Sequence, residues 1–259
     1  MSEAVGSAEV KSKEKTRIIL LDEVRGFAVI CMVIYHALYT LGYVFEYTGA
    51  VTLLEFFMPL EPIFAAAFIY ISGICTKLSR SNMRRGAILL VIALGVNMFT
   101  AIFIPSFVIA FGVLNLLSVC MIFYGLFGKA LKKLNPILGF GMSLAIFSFT
   151  WGIKNGFVGF FSIPLIRLPR SIYNAGVLFP FGFKYPGFYS SDYFPIFPWF
   201  FAFTAGAFFA EYFSKFEIPK GLCKSRVPFF ASAGRHALII YIAHQPIIFI
   251  LAYIIKSLK

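Results

Sequence analysis

Seven long apolar runs dominate the chain, at roughly 18–43, 57–79, 84–104, 109–127, 136–153, 195–214 and 232–256. Each is about as long as a helix must be to cross a bilayer. Composition agrees. Of the 259 residues, 60% are hydrophobic and 13% charged, which leaves too little polar surface to cover a soluble domain of this size. The expected fold is therefore all-α, a polytopic transmembrane bundle of about seven spans. The first run follows a basic tail. It is too long for the apolar region of a signal peptide and reads as a retained anchor.

The net charge of +12 raises nucleic acid as a partner, but the placement of the charges argues against it. Lysines and arginines sit in short clusters between apolar runs, where the positive-inside rule puts them. Sixteen fall on one side: in the tail, around Lys77, Arg80, Arg84 and Arg85, at Lys129, Lys132 and Lys133, and between Lys215 and Arg235. The other side has four, all in the loop 154–194, plus two lysines near the end of the chain. The N-terminus is expected in the cytoplasm, the C-terminus outside, and membrane lipid around the chain. The cysteines Cys31, Cys75, Cys120 and Cys223 have no metal-type spacing, and three lie in apolar runs, so free thiols and no metal are expected.

Residues 1–16 are polar and read as a disordered cytoplasmic tail. Residues 17–259 read as one transmembrane domain with an extracytoplasmic loop at 154–194, rich in Gly, Pro, Phe and Tyr. Pro164, Pro169, Pro180 and Pro186 oppose a long helix there. The loop reads equally as an interfacial cap or as a lid or wall for a lipid-like or sugar acceptor. No internal repeat of the kind that marks many secondary transporters is visible.

The first run, "LLDEVRGFAVICMVIYH", carries ionisable groups that hydrocarbon penalises by at least about 2.5–3.5 kcal/mol. Asp22, Arg25, Val29, Met32 and His36 are spaced 3, 4, 3 and 4, which is one helix face. At about 1.5 Å per residue, His36 lies roughly 21 Å along the axis from Asp22. Asp22 and Arg25 can pair at i,i+3, either as a simple interfacial pair or as organisers of a donor end. His36 is either a polar packing group or an intramembrane general base or acyl acceptor. The last run, "GRHALIIYIAHQPIIFIL", offers His244 in its interior, with Pro246 expected to free carbonyls and kink the helix. Arg235 reads as a positive-inside anchor and His236 as interfacial. Ser72, with Gly73, and Asn115, with Gly112 and Ser118, fit small-residue helix packing. Trp199 fits an aromatic belt at the outer end of its span. Glu46 and Glu55 read as a solvated outer loop, whereas Glu61 stands between Pro59 and Pro62 at the start of a span.

These blocks resemble bacterial proteins related to the catalytic domain of heparan-α-glucosaminide N-acetyltransferase. The opening Leu-Asp-x-x-Arg-Gly, an apolar stretch, then Met-Val-x-x-His carries the likeness. It continues through "FAAAFIYISGICTKLSRSNMRRG", "FGVLNLLSVCMI", "FPIFPWFFAFTAGAFFAEY" and "GRHALIIYIAHQP". The opening alone is also similar to bacterial integral-membrane O-acyltransferases. The resemblance implies an integral-membrane acyltransferase in a bacterial cytoplasmic membrane. Its donor would be cytoplasmic acyl-CoA, acetyl-CoA above all, and its acceptor an amine or hydroxyl of a carbohydrate-like molecule on the far side. On that reading His36 and His244 are the catalytic candidates. Asp22, Arg25, Arg235, Asn115 and Ser72 support the donor side. Arg80, Arg84, Arg85, Lys129, Lys132 and Lys133 are candidate CoA phosphate contacts, and Glu61, Trp199 and Asp192 candidate acceptor contacts.

One departure stands out. In the lysosomal enzyme the proposed nucleophilic histidine follows the first span, and the matching stretch here has none, so the acyl-histidine mechanism does not carry over. Direct transfer, with His36 activating the acceptor, is the expected mechanism. The competing class is a transporter or proton-coupled carrier using the same intramembrane His and Asp–Arg groups. An enzyme predicts a tunnel from the basic face to His36, joined to an outer cleft. A carrier predicts a closed site between pseudo-symmetric halves, and a scaffold predicts an apolar wall around His36. A homodimer is compatible with the sequence.

Overall fold

A computed structural model describes residues 17–257; the tail expected at 1–16 lies outside them. Among the described residues, seven helical stretches are long and apolar enough to cross a membrane: Ile19–Val44, Thr48–Ile74, Asn82–Phe103, Val113–Leu131, Pro136–Asn155, Ile196–Phe213 and Ala237–Ser257. The chain is thus the expected helical bundle. Its helices are α1 (Ile19–Tyr39), α2 (Thr48–Phe57), α3 (Glu61–Ile74), α4 (Asn82–Phe103), α5 (Val113–Leu131), α6 (Pro136–Thr150), a short α7 (Arg170–Tyr173), α8 (Ile196–Phe213), α9 (Pro228–Arg235) and α10 (Ala237–Ser257).

The second span begins nine residues earlier than the expected 57. The stretch read as an outer loop is helical, from Thr48 through α2, a single 3₁₀ turn at Met58–Leu60 and α3. Pro59 and Pro62 do not stop it, because both stand in the first turn of their element, where the missing N–H has no partner to lose. The last expected span is two helices. His236, at φ −104° and ψ 15°, breaks α9 from α10. Pro246, by contrast, lies inside a helix that continues past it. The loop 154–194 is also more ordered than its composition implied. It opens with an antiparallel hairpin, β1 (Phe157–Phe160) and β2 (Ile163–Arg167), bulged between Val158 and Gly159.

Helix termini carry local signals. Ser81 caps α4 by accepting from the Arg84 N–H, and Asn135 caps α6 with Pro136 behind it. The core forms around α5 and α8, where Leu116, Leu117, Cys120 and Phe203 are buried. The closest helix approaches run through glycine. A Cβ on Gly26 would lie 1.9 Å from the Phe230 carbonyl oxygen, and one on Gly234 would lie 1.8 Å from that of Asp22. α1 and α9 therefore touch backbone to backbone, the close approach that small residues permit in membranes. This contact fixes where the charged start of α1 sits against the α9–α10 corner.

Candidate active site at a histidine pair

α1 turns one face inward along its length, as its spacing requires. Asp22, Val29 and His36 are buried on it. Asp22 accepts from Arg17 Nε at 2.6 Å and lies 3.7 Å from Arg25 Nη1. Arg25 Nη2 also reaches Cys75 Sγ at 2.7 Å. Glu23, unassigned from sequence, is buried beside them. Its Oε1 accepts from the Ser225 hydroxyl and from the Arg226 and Val227 N–H groups at 2.6–2.9 Å. It thereby caps the start of α9 from about 200 residues away.

At the other end of that face the two histidines meet. The His36 and His244 rings are 5.1 Å apart, tilted by 47°, and both are buried. His244 Nδ1 lies 2.6 Å from the Tyr241 carbonyl oxygen. A carbonyl can only accept, so Nδ1 carries a proton, and in the neutral ring Nε2 keeps its lone pair. That Nε2 is buried and has no hydrogen-bond partner among the described residues.

Asp192 completes the cluster. The segment carrying it is pinned beside the start of α5: Ser191 N–H donates to Val108 O, Phe194 N–H to Phe111 O, and the Ser190 hydroxyl to Asp192 O. Asp192 Oδ2 accepts from the Val113 N–H at 3.1 Å and from the Tyr241 hydroxyl. Burial pushes this carboxyl above its ordinary range, against the pull of the Tyr241 and Val113 hydrogen bonds. Tyr241 thus touches both groups through different atoms: its hydroxyl donates to Asp192, and its main-chain carbonyl accepts from His244 Nδ1.

Three cavities adjoin this cluster. The first, about 300 Å³, is lined by Arg25, Ser72, Arg85, Arg235 and Tyr241. The second, about 370 Å³, shares Tyr241 with it and adds His36, Asp192 and His244. The third, about 140 Å³, is lined by Tyr35, His36, Glu61, Asp192 and Tyr193. His36, Ser191 and Asp192 face both the second and the third. Beyond the third, Lys154, Arg167, Arg170 and Lys184 all line a further open cavity of about 600 Å³ at the hairpin. Burial, and then Lys154, lower the Lys184 ammonium below its ordinary value.

The structure sorts the residues singled out from sequence. His36, His244, Asp192 and Glu61 come together. Arg25, Ser72, Arg85 and Arg235 gather at the first cavity; Ser72 also donates to Phe68 O at 2.9 Å. Arg80, Arg84, Lys129, Lys132 and Lys133 do not line it. Asn115 lines none of these cavities; its Oδ1 accepts from Gly112 N–H and closes the start of α5. Trp199 is not in a lipid-facing belt. It is 6% exposed and stacks behind Phe194, 5.2 Å away, and beside Phe147 and Trp151. Tyr241 was missed, although it sits one turn before His244 on the same helix face, a spacing that could have shown it.

The family model described as heparan-alpha-glucosaminide N-acetyltransferase, catalytic, matches residues 17–246. The chain belongs to this family. No curated protein and no solved structure matches it. The matched region runs from Arg17 through Tyr241 and His244 and so contains the whole histidine cluster and every lining residue of the adjoining cavities except Phe249. The family is one of membrane acetyltransferases. Tyr241 stands where the basic cavity meets the one lined by His36 and His244, and His36 stands where that cavity meets the third.

Proposed function

We propose that this chain transfers an acetyl group from cytoplasmic acetyl-CoA to an amine or hydroxyl of a carbohydrate-like acceptor on the extracytoplasmic side. The N-terminus would then be cytoplasmic and the C-terminus outside. The observation that carries the reading is the run of cavities from Arg25, Arg85 and Arg235 past Tyr241 to the histidine pair. Arginine forks suit the CoA phosphates. On the far side, the small cavity with Glu61 suits a polar acceptor group. The four basic residues that line the cavity near the hairpin favour an acceptor that also bears negative charge.

His36 faces the substrates and takes the proton as the acceptor attacks the thioester carbonyl. The new C–N or C–O bond forms, the C–S bond breaks, and the proton leaves with the CoA thiolate. His244, its Nε2 lone pair free, backs His36 as a second proton site, and Tyr241 and Asp192 hold that ring. The carrier alternative calls for one closed site between symmetric halves. A basic cavity that joins the histidine cavity at Tyr241, and a polar one that joins it at His36, weigh against it.

The test is release of free CoA from acetyl-CoA by the purified chain in nanodiscs, with and without glucosamine. His36→Ala and His244→Ala are each expected to slow release by about 10²–10⁴-fold, the range for a lost general base. Absence of both release and acetyl-CoA binding would overturn the proposal.

A further inference from the structure

The cavity of about 370 Å³ is larger than an acetyl group needs, and its walls have an unusual arrangement. Two strips of helix form most of it: α4 from Ile92 to Thr100, and α10 from Tyr241 to Phe249. Each strip is nine residues long, about 12 Å of helix axis. These helices pack against different neighbours, α4 on α5 and α10 on α1 and α9. The cavity is the gap left between them. Its lining includes side chains on the outer surface, Phe99 at 48% and Ile242 at 40% exposed. Both helices belong to membrane spans, so this gap opens sideways into hydrocarbon. A donor that arrives from water has no use for a lateral opening. A substrate that lives in the bilayer does.

The polar groups of the gap sit where it meets the candidate site. His244 and Gln245 line it, and His244 Nε2 and Gln245 Oε1 are buried without hydrogen-bond partners among the described residues. Both are atoms that accept, so they call for a ligand hydroxyl or amine. At the same junction His36, Ser191 and Asp192 turn to the small polar cavity with Glu61. The whole site is amphiphilic: a polar end at the histidines, and an apolar channel leading from them to lipid.

From this geometry we infer that the acceptor is a lipid-anchored sugar, whose aliphatic tail lies between α4 and α10 while its hydroxyl or amine reaches His36 and His244. The inference rests on the acetyltransferase reading and names the substrate class of that site. The acetyl group moves as before: the acceptor loses a proton to His36, gains the acetyl group from the thioester, and CoA leaves as the thiol.

Gly95 offers a way to close the channel. It lies at the mouth, and a Cβ built on it meets nothing within 4 Å, so a large side chain can enter without displacing the backbone. The test uses the full chain in phosphatidylcholine nanodiscs and a dodecyl glucosaminide with a photoreactive group in its tail. Photolabel is expected on α4 between Ile92 and Thr100 and on α10 between Tyr241 and Phe249. Unlabelled dodecyl glucosaminide should compete it away. Gly95→Trp should reduce labelling, and the ratio of dodecyl glucosaminide to free glucosamine acetylation, on the order of tenfold. Val91→Trp, on the lipid face outside the cavity, should leave both as in the wild type. Competition by diacylglycerol-linked or by polyprenyl-linked glucosamine then tells which lipid source fits; either supports the inference. Label that spreads over all lipid-facing helices, or that no sugar lipid displaces, means bulk lipid only and overturns it. Acetylation of free glucosamine with no label in the gap sinks the inference alone. Label in the gap with neither acetyl-CoA binding nor transfer sinks the acetyltransferase reading instead.

Discussion

Gly26→Ala is the perturbation whose size follows most directly from the structure. Alanine is the better helix former, and on an unobstructed helix the change gains about 0.5–1 kcal/mol. At Gly26 the new methyl would lie 1.9 Å from the Phe230 carbonyl oxygen and 2.7 Å from the Gly234 amide nitrogen, where ordinary contact begins at 3.4 Å. α1 and α9 must therefore part by about 1.5 Å. The obstructing atoms are backbone, so no rotamer change relieves them. Overpacking of this kind costs about 1–3 kcal/mol, and a rigid partner puts it at the upper end. The clash outweighs the propensity gain, leaving a net loss of roughly 1–2 kcal/mol. The same separation pulls the Glu23 carboxylate from the start of α9 and moves Arg235 away from Arg25. Thermal melting in detergent, with acetyl-CoA binding alongside, reads both effects. Gly95→Ala is the control, since its methyl meets nothing within 4 Å and should keep the propensity gain. If Gly26→Ala melts as high as Gly95→Ala and binds acetyl-CoA as well as the wild type, the close α1–α9 contact is not what this structure makes of it.

Two further outcomes follow. Arg85→Ala and Arg235→Ala should each weaken acetyl-CoA on the order of tenfold, the worth of a charge-assisted hydrogen bond, while Lys129→Ala and Lys133→Ala, outside that cavity, leave the KM in place. Asp192→Asn should stop turnover and yet raise the melting temperature at neutral pH. Its folded carboxyl lies above the ordinary 3.8, so stability from this group is complete below that value and is lost as pH rises through the raised one. The gain should vanish in acid, and a variant less stable than the wild type at pH 7 would refute the sign.

The spans were legible because a bilayer leaves few options for a long apolar run. Their ends were less so. Glu46 and Glu55 read as a solvated loop before a span starting at 57, but the helix begins at Thr48, and Glu55 simply faces outward from it. Trp199 misled for a related reason. An aromatic near a span end is usually a belt residue, and only the neighbours Phe147, Trp151 and Phe194 make it core. At the site, helical spacing gave the α1 face with His36, and His244 stood out as an ionisable group inside an apolar run. Spacing could not show that they touch, because their contact depends on how the first and last spans pack. Tyr241 and Asp192 were harder still: a tyrosine in an apolar helix and an aspartate in an aromatic loop become a pair only through tertiary contact.

The first helix shows why those charges are tolerated in a membrane span. None is left alone. Asp22 is held between Arg17 and Arg25, and Glu23 replaces the missing hydrogen-bond partners of a second helix. Arg25 turns to a cavity lined by two more arginines. Gly26 then brings α9 into backbone contact, which sets the corner where α10 begins. From that corner α10 carries His244 to His36, about three turns further along α1 than Arg25. The charged start of α1 and its histidine are thus parts of one device. Moving α9 at Gly26 should shift the histidine pair as well as the arginines, so Gly26→Ala should lower the rate of CoA release in addition to weakening acetyl-CoA binding. An effect on binding alone would mean that α10 holds its place independently of the corner from which it starts.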